Sequence, residues 1–251
     1  MVKTASTTSV ALIPFSVFNL AGQPGAGTLA GTSTAAGVVP TDATAGCPII
    51  NFTVGTGYLS KIEYGNTVVA RTNVYDMLWK GGAYTFSSNV TLAAQPAISG
   101  RCPDWPGSGI IFGNGNEIWL ETVTAFTGLQ TIAVTYTNSA GTTGRTTGSL
   151  ATGAAPIVGR MLQLPLQAGD SGVQKIETVI STVATVGTFN VLILRPLTTD
   201  LRVRLANEGG VYDVLSTGMP IVYPTSAFIM TIQADAVSTG LPHVVLELAS
   251  A

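Results

Sequence analysis

The sequence predicts an all-β protein, with two tandem β-sandwich domains of jelly-roll-like plan behind an extended N-terminal arm. Three observations lead there. Short runs of period-two hydrophobicity recur from about residue 49 onward, turn clusters such as "GTG", "GGA", "GNGN" and "AGDSG" separate them, and runs of the first half return in order in the second. The expected divisions are an arm over 1–45, a β-sandwich over 46–155 and a second, similar one over 156–251.

The arm comes first. "VALIPFSVFNLAG" at 10–22 has the apolar character of a secretory leader, but Pro14, Ser16 and Asn19 interrupt it and only Lys3 precedes it. An ordered arm drawn out by prolines and glycines fits these residues better. It cannot build a core alone, and its apolar "ALIPFSVFNL" would be exposed, so Phe15 and Phe18 are expected to lie against a partner subunit.

The first sandwich holds the clearest strand, "TIAVTYTNSAGTTGR" at 131–145. Ile132, Val134 and Tyr136 share one face, and Thr131, Ala133, Thr135 and Thr137 the other. Asn138 and Gly141 bracket a turn, which folds the strand back through "TTGRTT". The second sandwich follows from internal likeness. "IWLETVTAFTGLQTIAVTYT" from Ile118 matches "IMTIQADAVSTGLPHVVLELA" from Ile229, each a strand pair joined through "TGL". Similar offsets set "SKIEYGNTV" around Lys61 beside "VQKIETVIS" around Lys175, and "TNVYDML" around Val74 beside "FNVLILR" around Val191.

Charge is what the chain lacks. Charged residues make up 10% of its 251 positions, against roughly 25% in an average soluble domain. The net charge of −2 is not gathered into blocks, so neither nucleic acid nor membrane is an expected partner. Repeated aliphatic runs such as "VLILRPL" exclude disorder. The uncharged segment between Lys3 and Asp42 is broken by Pro14, Pro24 and Pro40, and no run approaches the ~20 apolar residues of a membrane span. What remains is a chain whose surface other subunits cover, or an ordinary monomer with a neutral surface. With a mean hydropathy of +0.42, it is expected to close into a dimer or trimer. Trp79, Trp105 and Trp119 are the candidate interface anchors, because desolvated tryptophan concentrates binding energy.

Reactive constellations are scarce. The single histidine, His243, has no base–nucleophile partner in view. Glu117 and Glu121 flank Trp119, but four strand residues span ~13 Å, beyond the ~5 to 9.5 Å of a glycosidase pair, and a solvated or interface-facing rim is expected instead. "GIIFGNGNE" lacks the phosphate-loop lysine and reads as a turn, as does "CPDWPGSG" at 102–109. "LRVRL" at 201–205 sets Arg202 and Arg204 opposite Leu201, Val203 and Leu205. Cys47 and Cys102 have no CxxC spacing and are expected to be reduced thiols. The expectation is a non-enzymatic protein with no catalytic residues, no cofactor and no metal.

Three passages carry a resemblance: "VYDMLWKGGAY" at 74–84, "VTYTNSAGTTGRT" at 134–146 and "LPLQAGDSGVQKIETV" at 164–179. Together they resemble a family of tailed-bacteriophage structural proteins in which a Tyr–Asp–Leu–Trp segment, a "YTNSAG" hairpin followed by "GR", and an "LQAGDTGV" turn recur in this order. The resemblance covers about 46–251 and departs at Met77 and Lys80; the arm lies outside it. It implies a virion component, assembled in the host cytoplasm, that decorates and stabilises the capsid shell by binding the major capsid protein or another virion protein. The alternative it allows is a tail- or fibre-associated protein that binds the host surface. Low charge suits either role, because burying uncompensated charge between subunits is costly.

Overall fold

Alternating and β-branched runs become strands throughout a computed structural model of the chain, which describes residues 1–52, 55–103, 111–153, 157–182 and 185–250. The N-terminal segment supplies β1 (Val2–Lys3), β2 (Phe15–Ser16), β3 (Gly22–Gln23) and β4 (Ser33–Val38). Next come β5 (Gly57–Asn66), β6 (Ala70–Thr85), β7 (Asn89–Thr91), a 3-10 turn at Ser99–Arg101, β8 (Glu117–Thr124), β9 (Thr131–Asn138), β10 (Arg145–Thr146) and β11 (Leu150–Ala151). The remainder gives β12 (Met161–Leu164), β13 (Val173–Ser181), β14 (Thr188–Val203), β15 (Glu208–Tyr212), a one-turn helix α1 (Val214–Thr217), β16 (Ile221–Val222), β17 (Phe228–Ala234) and β18 (His243–Ser250). The protein is all-β, as the sequence predicts.

The repeated passages are matching strands: β5 with β13, β6 with β14, β8 with β17, and β9 with β18. Both "TGL" joints turn the same way, with Gly128 at φ 77° and Gly240 at φ 66°. Glycine enters this left-handed region without strain. At Gly240 a side chain would also strike the Asn66 amide oxygen, 2.2 Å from where its Cβ would sit.

The pairing crosses between the repeats. β5 pairs with β18 and β6 with β17, while β13 pairs with β9 and β14 with β8. Consequently the compact units are not consecutive stretches. One comprises Met1–Leu29, Pro40–Asp76 and Pro196–Ala251, and the other Ala30–Val39 and Met77–Arg195. The divisions expected near 46 and 156 are not the unit boundaries, and residues 154–156 lie outside the described residues. The physical reason is that each unit takes its strands from both repeats. β6 runs out of the first unit after Asp76, and β14 enters it at Pro196.

In the first unit one sheet has the order β15-β5-β18-β1-β3, with β16 also on β5. Leu59, Ile62 and Val244 from that sheet meet Val74, Leu201 and Ile232 from β6, β14 and β17 in a single core. β5 changes phase between Leu59 and Ile62 because the register with β18 shifts between Glu247 and Leu248, a bulge that turns both side chains inward. The N-terminal segment belongs to this unit: β1 lies between β18 and β3, and β2 pairs with β17. This corrects the expectation of an extended arm ordered on another subunit. Phe15, Val17 and Phe18 find cover within their own chain, while Val10 and Leu12 stay exposed.

In the second unit β10-β9-β13-β7, with β11 on β9, faces a layer containing β12, β8 and β14, with β4 on β6. Ile132, Val134 and Tyr136 of β9 are fully buried, as their alternation predicts. On the opposite face the Thr135 and Thr178 hydroxyls bond across the strands, and the Thr137 hydroxyl donates to Glu177 Oε1 at 2.8 Å. Threonine thus pairs laterally on this face without carrying charge. Phe86 binds the aromatic core together, with ring centroids 4.2 Å from Phe126 and 4.7 Å from Phe189.

Candidate functional site

The expected interface anchors go elsewhere. Trp79 and Phe15 are fully buried, and Trp119 and Phe18 nearly so. All four are covered by their own chain, and Trp79 belongs to the core of the second unit. The reason is area: large aromatics bury the most apolar surface. Trp105, with Asp104 and most of the "CPDWPGSG" turn, lies outside the described residues.

The first of the three resembling passages is a set of buried joints. Asp76 is fully buried, and its carboxylate accepts from the Ser226 hydroxyl at 2.7 Å and the Ala227 N–H at 2.9 Å. It thereby fastens the turn that leads into β17. Trp79 Nε1 donates to the Ala36 carbonyl at 3.0 Å, holding β4 to the second unit. Lys80 Nζ lies 3.6 Å from Glu121 Oε2, and the Asn190 amide donates to the same oxygen at 2.8 Å. Both charged side chains are buried, so the solvated or interface-facing rim expected for Glu121 is corrected. Its cation partner lies on β6, which sequence spacing along β8 cannot show. Glu117 accepts from Trp119 Nε1 at 2.8 Å, and burial raises its pKa.

The second and third passages converge on one carboxylate. Asp170 Oδ2 accepts from the Tyr136 hydroxyl at 2.7 Å and Arg145 Nε at 2.9 Å, and Oδ1 accepts from the Asn138 amide at 2.8 Å. The Tyr136 oxygen in turn accepts from the Gln167 N–H at 2.7 Å. Asn138 Oδ1 closes the hairpin by accepting from the N–H groups of Ala140 and Thr142. Arg145 foremost, with the Asn138 and Tyr136 donors, holds the Asp170 pKa down at about 2, while burial first and Asp170 second push the Tyr136 hydroxyl up to about 12. The wording "Y-T-N…G-R…A-G-D" is thus one hydrogen-bonded network that locks two loops. Sequence order displayed these residues; their meeting point depended on the β9–β13 pairing.

Cys47 and Cys102 are buried and form no disulfide, one lying in each unit. His243 is exposed at the start of β18. Leu201 and Val203 face inward opposite the exposed Arg202 and Arg204, whereas Leu205 lies beyond the strand and is also exposed. Among the described residues no three His, Cys, Asp or Glu side chains come together to hold a metal ion, and no helix is long and apolar enough to cross a membrane.

What the surface offers is binding area. β15 is the terminal strand of its sheet, and an apolar group surrounds it: Leu215 is 88% exposed, Leu205 67% and Val211 58%, with Val214 and Met219 nearby. A sheet edge of this composition is a ready pairing surface. In the same unit a cleft of about 580 Å³ opens beside β18, lined by Ile49, Phe52, Phe228, Val245 and Glu247. Comparison of the chain with protein-family models, with curated proteins and with solved structures finds no match.

Proposed function

We propose that this chain is a non-enzymatic structural subunit of a tailed-bacteriophage virion and, within the virion, a decoration protein that stabilises the capsid shell. The observation that carries the reading is the apolar β15–α1 edge on a chain so poor in charge. Such a patch is stable in water only when covered, and a second copy or a neighbouring shell protein would cover it. The three resembling passages support the family and act as scaffold joints, with their carboxylates consumed by structural bonds. A tail or fibre adhesin is the less favoured reading, because among the described residues none of the exposed large apolar side chains is aromatic, whereas host-surface binding draws on exposed aromatic platforms.

Mass spectrometry of purified tail-less heads tests the assignment. The protein is expected there at near-capsid stoichiometry, and its absence from heads would overturn the decoration role. Light scattering at micromolar concentration tests the edge: the wild type is expected as a dimer or trimer, and Leu215→Lys as a smaller species. A monodisperse wild-type monomer would remove self-association and leave only a different virion protein as partner.

A further inference from the structure

We propose that the first unit carries a recognition cleft for a carboxylate-bearing peptide segment, formed by Arg71, Arg202 and Arg204 around Asp200. This does not depend on the virion assignment.

The distribution of cations is the first argument. Of 11 basic residues, Lys3, Lys80, Arg101 and Arg195 are buried, Lys61 is paired with Glu63, and Arg145 with Asp170. Three of the other five, Arg71 and Arg202, both ion-paired with Asp200, and Arg204, line one cleft of about 300 Å³, with Leu12, Val69 and Gln233 beside them and Asp235 as the one carboxylate in its lining. The strand order brings them together, since β6 begins and β14 ends here, with β17 on the far side of β6.

The cleft is also held in shape. Asp200 takes Arg202 Nε on both carboxylate oxygens, at 2.8 and 2.7 Å, and lies 3.4 Å from Arg71 Nε. It does so from a left-handed backbone, φ 65°, fixed by its N–H donating to Asn73 Oδ1 at 2.7 Å. Across the cleft Leu12 is also left-handed, φ 62°, and is pinned by its own N–H on the Ala234 carbonyl and by the Gln233 amide on its carbonyl. Non-glycine residues held at positive φ are strained, and such strain gathers where function requires a fixed geometry.

One carboxylate shared by two guanidiniums leaves N–H donors over, and Arg204 makes no hydrogen bond or ion pair among the described residues. Guanidinium recognises carboxylate as a planar fork. Leu12 and Val69 offer an apolar wall for a neighbouring side chain. The small volume and the net charge of −2 on the whole chain favour a single carboxylate over a polyanion, which would need a continuous basic track.

The test is an NMR titration of the full chain with N-acetyl-Leu-Glu-amide, its glutamine counterpart, and a short single-stranded oligonucleotide. The glutamate peptide is expected to give saturable shifts at Leu12, Arg71, Arg202, Arg204 and Gln233, and the glutamine peptide none there. Arg204→Gln, an exposed change that leaves the fold intact, is expected to weaken binding about tenfold, the scale of a lost charge-assisted pair. No shifts with the glutamate peptide, equal shifts with glutamine, an unchanged affinity in Arg204→Gln, or tighter binding of the oligonucleotide at the same residues would each overturn the proposal.

Discussion

Asp170→Asn asks whether one charge holds the hairpin after β9 to the loop before β13. The carboxylate accepts from Tyr136, Asn138 and Arg145, and its pKa stands at about 2 against an ordinary 3.8. A gap of about 1.8 corresponds to about 2.4 kcal/mol at ~1.36 kcal/mol for each pK unit. The Asp170 side chain is only 3% exposed, but it lies just under the surface beside an Arg145 side chain that is 26% exposed. Water screens such a pair, and about 1 kcal/mol is the better figure. The asparagine oxygen can accept from at most two of the three donors, and stranding the third costs about 1 kcal/mol more. The expected loss is about 2 kcal/mol near neutral pH, or a Tm lowered by about 4–8 °C for a chain of this size.

The pH dependence has a definite sign. Because the folded pKa lies below the unfolded one, the charge's contribution is complete above about pH 4 and disappears as pH falls through about 2. Urea unfolding of wild type and variant from about pH 7 to about pH 2.5 measures both quantities. The gap between them should narrow to about two-thirds at the acid end. A difference below about 0.5 kcal/mol near neutral pH, within the range of ordinary surface substitutions, or a gap that stays constant with pH would refute the reasoning.

Trp79→Ala should cost about 3–5 kcal/mol, since it empties a fully buried site and strips the Ala36 carbonyl of its donor; thermal melting checks it, and Trp79→Phe should fall between. Asp76→Ala leaves the Ser226 hydroxyl and the Ala227 N–H buried without their acceptor, so about 2–4 kcal/mol should be lost in urea unfolding, while Asp76→Asn should lose less. A fragment of residues 156–251 expressed alone should show no amide dispersion by NMR, because its β18 and β17 lack β5 and β6; co-expression with 1–155 should restore dispersion. A folded isolated fragment would contradict the crossed pairing.

The strands themselves were legible because alternation reports burial directly: Ile132, Val134 and Tyr136 point inward as written, and the "TGL" matches mark equivalent joints. Residues whose role depends on a partner strand were not. Glu121 reads as a rim residue from β8 alone, and only the neighbouring β6 and β14 supply Lys80 and Asn190. Arg202 and Arg204 were visible as one exposed face, whereas Arg71 joins them only through the sheet order. Trp79 and Trp119 misled for a similar reason. Low overall charge predicts covered surface, but it does not say which apolar residues do the covering, and among the described residues the exposed large ones are not aromatic.

The division into units failed for a reason the sequence does contain. A pattern alone cannot tell whether β5 pairs with β9 of its own repeat or with β18 of the other, since the two partners are alike. Length distinguishes them. β6 and β14 are each 16 residues long, an extended reach of about 53 Å at ~3.3 Å per residue, while a typical strand covers ~17–20 Å. A strand of that reach cannot be spent on one small sandwich, so each must leave the unit in which it begins. β6 does so between Asp76 and Met77, and β14 between Arg195 and Pro196. Once both long strands pass from unit to unit, the strands that follow them are carried along, and β8 and β9 are delivered to β14 and β13 as β17 and β18 are to β6 and β5. β6 continues through the "GGA" at 81–83 that was expected to separate strands, and neither its residues 70–80 nor "TFNVLILRPLTTDLRV" holds a turn cluster; these long runs are therefore the feature from which the crossed architecture follows.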